Sequence, residues 1–225
     1  METARGIRLV HSAPWLKPSS PQPAASQEDP TDMCKRLPIL AVALVTLGLL
    51  TVGLGVASAQ DVFKINYFSN ANYSGAPDAT VRIDNPGLTY GNLCAMIYVF
   101  DYDQQLTECC GCVESHNGLR TLSVNKDLTS NPLTGVWSHN GVIKVVSAAV
   151  NNSPCDPTQN VTPTANLRVW ATHIQNKVGS AYPITETESS DSTLGSTELS
   201  NLQAECAFVG ILGSGHGICT CGWGD

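Results

Sequence analysis

Two short cysteine clusters carry the chemistry most open to this chain: Cys109-Cys110-Gly111-Cys112 and Cys219-Thr220-Cys221. In an extended segment, residues two apart point to the same face. Cys110 and Cys112 therefore make one pair, and Cys219 and Cys221 another. If the segments lie side by side, either two disulfides staple the C-terminal tail to the rest of the domain, or four thiolates converge on one metal ion. Structural zinc favours C-x₂₋₄-C spacing, which gives both sulfurs room to reach the ion. C-x-C is tighter, and a glycine-rich tail gains most from a covalent tie, so the spacing favours staples. His116 follows Cys112 and His216 precedes Cys219, which extends the metal alternative to a mixed Cys/His site for copper or zinc. Cys109 and Cys110 face opposite ways in a strand and so take different partners. Cys109 to Cys112 also spells the C-x-x-C redox motif, without the helix start or βαβ pattern that would depress a thiol pKa.

The compartment decides between these outcomes. Residues Met33 to Ala59 begin with Lys35 and Arg36, run uncharged from Leu37 to Val56, and end on Ala57-Ser58-Ala59. Basic start, apolar run and A-x-A site are the order of a secretory signal, with cleavage expected between Ala59 and Gln60. Gly48, Gly53 and Gly55 loosen the apolar run, and no basic stop-transfer cluster follows, so cleavage is favoured over a membrane anchor. Residues 1–32 are rich in Pro, Ser, Ala and Gln without apolar periodicity; they read as a disordered extension or a mis-assigned start, with translation beginning at Met33. Of nine cysteines, Cys34 leaves with the signal. Eight remain: Cys94, Cys109, Cys110, Cys112, Cys155, Cys206, Cys219 and Cys221. An even count in an oxidising compartment is the signature of a disulfide framework, although sequence alone does not give its connectivity.

Removing the first 59 residues leaves 166, enough for one domain with its own core. Seven Lys and Arg then face fifteen Asp and Glu, a net charge of −8. A nucleic-acid partner requires the opposite sign, and no second apolar stretch is long enough to cross a membrane once the signal is gone.

The elements that must position the cysteines read as strands. Val62–Phe68, Thr80–Asp84, Leu93–Phe100, Leu119–Val124, Val142–Val150 and Leu167–Ile174 are β-branched, aromatic or alternating, and turn signals such as Asp84-Asn85-Pro86-Gly87, Asn117-Gly118 and Asn140-Gly141 separate them. Leu93–Phe100 is nearly all apolar, the pattern of a strand buried on both faces. The spacing predicts an all-β sandwich of about seven or eight short strands. Thr185–Thr197 reads as an exposed loop. Ser196 or Thr197 is the expected cap of a short helix with Leu199, Leu202 and Cys206 on one face, and Phe208–Leu212 either extends it or forms a last strand.

Catalytic patterns fail on inspection. Gly213-Ser214-Gly215-His216 is not a nucleophile elbow, and Asp101 with Asp103 falls short of the oxygens that calcium takes. No cofactor is implied. The expectation is a non-enzymatic secreted, periplasmic or cell-surface domain that binds an unknown protein or surface partner, adheres, or self-assembles. Val62–Phe68, the first strand after cleavage, is the candidate for pairing with a neighbour's sheet edge. The alternative is an envelope metal-binding or thiol-redox protein built on the two cysteine clusters.

Overall fold

The structure, a computed structural model, describes residues 61–89, 91–150, 154–159, 161–212 and 215–222. The expected export signal, its expected cleavage site and residues 1–32 lie outside the described residues.

Among the described residues, nine strands and one long helix follow in order: β1 (Phe63–Phe68), β2 (Thr80–Asp84), β3 (Leu93–Asp101), β4 (Leu106–Glu114), β5 (Leu119–Ser123), a single π-helical turn (Val124–Leu128), β6 (Gly141–Ala149), β7 (Arg168–Ile174), β8 (Ile184–Glu188), β9 (Ser190–Ser192) and α1 (Ser196–Ile211). They form two antiparallel sheets, ordered β4-β3-β6-β1-β9 and β5-β2-β7-β8. The expected sandwich is present. Its core lies between the sheets, where Ile97, Val99, Ile143 and Val145 of the first meet Val81, Ile83, Leu122 and Val169 of the second.

The five-stranded sheet is covered on both faces. Alternation along β3 sends Ala95, Ile97 and Val99 inward and Cys94, Met96 and Tyr98 outward. The outward set packs with Leu202, Cys206 and Val209 of α1. This explains why Leu93–Phe100 is apolar throughout. The residues Phe208–Leu212, ambiguous in the sequence, belong with the helix, since Val209 is buried with Leu202 and Cys206. The N-cap is Gly195, not Ser196 or Thr197, which lie in the first turn, and no side chain makes a capping bond.

Two segments differ from expectation. Ile184–Ser192 is not a loop: β8 pairs with β7, then the chain crosses between sheets at Ser189 and β9 pairs with β1. Its side chains are nearly all exposed, as in the loop expected, but the β-branched Ile184, Thr185 and Thr187 suit an edge strand. Leu106–Glu114, which holds the first cysteine cluster, is a nine-residue strand. Its Glu, Gly and Cys content hides it from a search for β-branched runs. Val62–Phe68 provides β1, which lies inside its sheet between β6 and β9. Donating it to a neighbour would mean breaking both ladders.

Candidate functional site

The strand β4 is a covalent hub. Its outward Cys109 bonds Cys206 of α1, while its inward Cys110 and Cys112 bond Cys219 and Cys221 of the tail. Cys94, outward on β3, bonds Cys155 in the loop after β6. All eight cysteines among the described residues are thus paired, Cys109 and Cys110 with different partners, and two disulfides tie the tail to the sheet. Gly111 makes room for this arrangement. A Cβ there would lie 2.1 Å from the Cys155 carbonyl oxygen, so the Cys155 loop packs directly on the β4 backbone. The Tyr98 hydroxyl fixes the same loop by donating to the Pro157 carbonyl at 2.8 Å.

The stapled tail closes one side of the sandwich. β4 is the edge of one sheet and β5 the edge of the other. Tail residues run parallel to β4: the Cys109 N–H donates to the Gly217 carbonyl at 2.8 Å, and the Cys219 N–H to the Cys109 carbonyl at 3.3 Å. Across the gap, the Thr220 N–H donates to the Asp127 carbonyl at 2.9 Å, and Arg120 of β5 donates to the Cys221 carbonyl. Gly217 needs its residue type twice over: its φ is +78°, and a Cβ would lie 2.5 Å from Val209.

Two buried carboxyls flank this edge. Arg120 Nε donates to Glu114 Oε1 at 2.7 Å. Burial still pushes the Glu114 carboxyl above its ordinary range, the Arg120 hydrogen bond and charge acting the other way. Glu108 has no such cation. It is fully buried, one oxygen accepts from the Asn131 N–H at 2.7 Å, and the other has no partner. Burial pushes its carboxyl up to about 7, the Asn131 bond acting the other way.

The residues of the metal alternative are brought together only in part. The sulfurs of Cys110, Cys112 and Cys221 lie within 4.8 Å of one another, the closeness of two neighbouring bridges, and in disulfides they offer no thiolate. His216, beside Gly217, lies at the Thr107 end of β4, whereas His116 follows its Glu114 end. At ~3.3 Å per residue the strand holds the two histidines on the order of 20 Å apart. The mixed Cys/His site is not assembled. Asp101 caps the β3–β4 turn, accepting from the N–H groups of Asp103 and Gln105, both at 2.9 Å.

His173 is poised against a hydroxyl, with Nε2 2.7 Å from Thr187 Oγ1. Its Nδ1 has no partner, so no carboxylate orients the ring as a triad would require. Burial holds this histidine below its ordinary pKa, and its ring is stacked on Tyr67.

A different surface, missed in the sequence, presents groups able to bind. At the end of the sandwich where β1 stops and β6 starts, Tyr73 and His139 stack at 3.9 Å with their planes 7° apart. His139 is one wall of an open concavity of about 760 Å³, lined also by Asn72, Gly135, Val136 and Trp137, and Tyr73 reaches it through that stacked ring. Tyr73 is 45%, Trp137 51% and Val136 63% exposed. The scaffold beneath them is fixed. The Ala71 N–H donates to the His139 carbonyl at 2.9 Å, and His139 Nδ1 lies 2.6 Å from the Ala71 carbonyl. Asn72 donates to Thr129 Oγ1 at 3.0 Å and to the Ser138 carbonyl at 3.1 Å. Asn70 and Asn72 both adopt the left-handed conformation, at φ +55° and +57°. The available signal was Val136-Trp137, an apolar pair inside a polar loop between Asn131-Pro132 and Asn140-Gly141. Nothing in the sequence pairs it with Tyr73.

No protein family, curated protein or solved structure matches the chain. Four disulfides are the mark of an oxidising, extracytoplasmic setting. Among the described residues no helix is long and apolar enough to cross a membrane.

Proposed function

We propose that the chain is exported by the signal at Met33–Ala59, cleaved before Gln60, and acts as a non-enzymatic binding domain whose contact surface is the loop end of the sandwich. One observation carries this reading: Tyr73, stacked on His139, and Trp137 present aromatic side chains to solvent at that end. Two left-handed asparagines and the hydrogen bonds around Ala71 and Asn72 fix the backbone beside Tyr73 and His139 before any ligand arrives, and preorganisation of this kind lowers the cost of binding. Non-glycine residues in this conformation gather at ligand clamps and switch regions. The disulfides serve the same end by keeping the scaffold folded outside the cell.

The test is retention of the fluorescently labelled exported protein on cells and extracellular matrix of the producing culture. The wild type should be retained, and the double variant Tyr73→Ala/Trp137→Ala should be washed off, with unchanged circular dichroism. Equal retention of the two proteins would remove the loop end as the contact surface.

A further inference from the structure

Resting on that binding reading, we propose that the loop-end surface takes a neutral saccharide, with sugar rings lying against the exposed faces of Trp137 and Tyr73. The chemistry of the lining selects the class. Aromatic faces carry partial negative charge, which attracts the weakly positive C–H groups on the flat side of a pyranose. None of the side chains lining the concavity is Asp, Glu, Lys or Arg. An anionic ligand such as a phosphate or a uronate would call for Arg or Lys donors, and the mature chain carries a net charge of −8.

Size and rigidity argue in the same direction. The concavity of about 760 Å³ lies within the roughly 300–1,000 Å³ of small-ligand sites. Anionic membrane surfaces are recognised by clusters of basic residues, which the lining lacks. A sugar polymer presents repeated small rings, and each needs only one or two aromatic faces in fixed positions. The stacked Tyr73–His139 pair and the hydrogen bonds that lock Ala71 and Asn72 supply that fixity.

The experiment titrates the ¹⁵N-labelled exported protein separately with cellohexaose, xylohexaose, mannohexaose and chitohexaose, followed by two-dimensional NMR. In parallel, retention on the producing culture is measured after the surface is treated with periodate or with protease. The expected result is saturable shifts confined to residues 70–74 and 134–140 with at least one oligosaccharide, weakened about tenfold in Trp137→Ala, and retention abolished by periodate but not by protease. Trp137-dependent retention that survives periodate and is lost to protease overturns the saccharide while leaving the binding reading in place. Retention indifferent to Trp137 overturns both.

Discussion

The two long sides of this sandwich are closed by different physics. On one side β4 and β5 are bridged by a tail that makes a single isolated bridge to β4 and is tied by two disulfides. On the other, one continuous chain forms β8 in one sheet and β9 in the other, turning at Ser189. The second side is held by strand ladders, by the Lys64 ion pairs with Asp61 and Asp191, and by Asn66. A glycine-rich segment with little strand propensity can thus seal a sheet edge where covalent bonds supply what the ladder lacks.

The largest expected effect comes from removing both staples. Each spans 109 residues in sequence, but Cys109–Cys206 already shortens that path to a ring of about 15 residues, whose closure is worth about 3 kcal/mol. With one staple in place, the other closes a much smaller ring and adds about 2 kcal/mol. Replacing all four cysteines by alanine should therefore lower stability in urea by about 5 kcal/mol. Replacing Cys112 and Cys221 alone should lower it by about 2 kcal/mol, and the tail amides should gain rapid hydrogen exchange only in the quadruple variant. Equal losses from the two sets would show that the staples are not redundant.

Glu108 tests the same edge through pH. Its folded pKa is raised to about 7, so between about 4.5 and 7 the folded state holds a proton that the unfolded state has released, and stability falls as pH rises through that window. The difference amounts to on the order of 3 kcal/mol by pH 8. Glu108→Gln keeps an acceptor for the Asn131 N–H and should remove that part of the pH dependence. Glu114 contributes in the same direction and His173, held low, in the opposite one. The informative quantity is therefore the wild-type minus variant difference in chemical denaturation at pH 5 and pH 8. A constant difference across that range would place the Glu108 carboxyl back among ordinary carboxylates.

Which parts were legible in the sequence follows from the same contrast. β2, β3 and β7 announce themselves because apolar residues alternate or run together where two faces are buried. The staple pairing of Cys110 and Cys112 with Cys219 and Cys221 was legible as spacing, because period-two geometry needs no tertiary information. β4 itself was not, since a strand whose inward positions hold Glu108, Cys110 and Cys112 lacks the usual composition. β8 and β9 were hidden because an edge with exposed side chains has no apolar pattern to show. The loop-end surface depends on Tyr73 meeting His139, 66 positions away in the chain, and no local rule reaches that far.

A smaller effect probes how closely the covalent side is packed. Gly111→Ala places a methyl group 2.1 Å from the Cys155 carbonyl oxygen, so the Cys155 loop must move. An overpacking cost of about 1–3 kcal/mol is expected, with amide shifts concentrated at Cys155–Thr158 in NMR spectra. A silent substitution would mean that the loop is loosely held despite its disulfide.

The smallest effect belongs to the strand-closed side. Asn66 donates to Ser189 Oγ at 3.1 Å and more weakly to the Thr187 carbonyl at 3.5 Å, pinning β1 to the point where the chain changes sheets. Asn66→Ala removes these bonds from a half-buried site that water can reach, so the loss should be about 1 kcal/mol. The ladders themselves remain, because Phe63, Lys64 and Ile65 pair with Ser192, Asp191 and Ser190 through backbone groups that the substitution leaves alone. Urea denaturation gives the magnitude, and hydrogen exchange at Ser189–Ser192 gives the location. If the loss instead matched that of the quadruple cysteine variant, the crossover at Ser189 would be as decisive as the staples. The contrast between a covalent side and a ladder-held side would then have to be redrawn around Asn66.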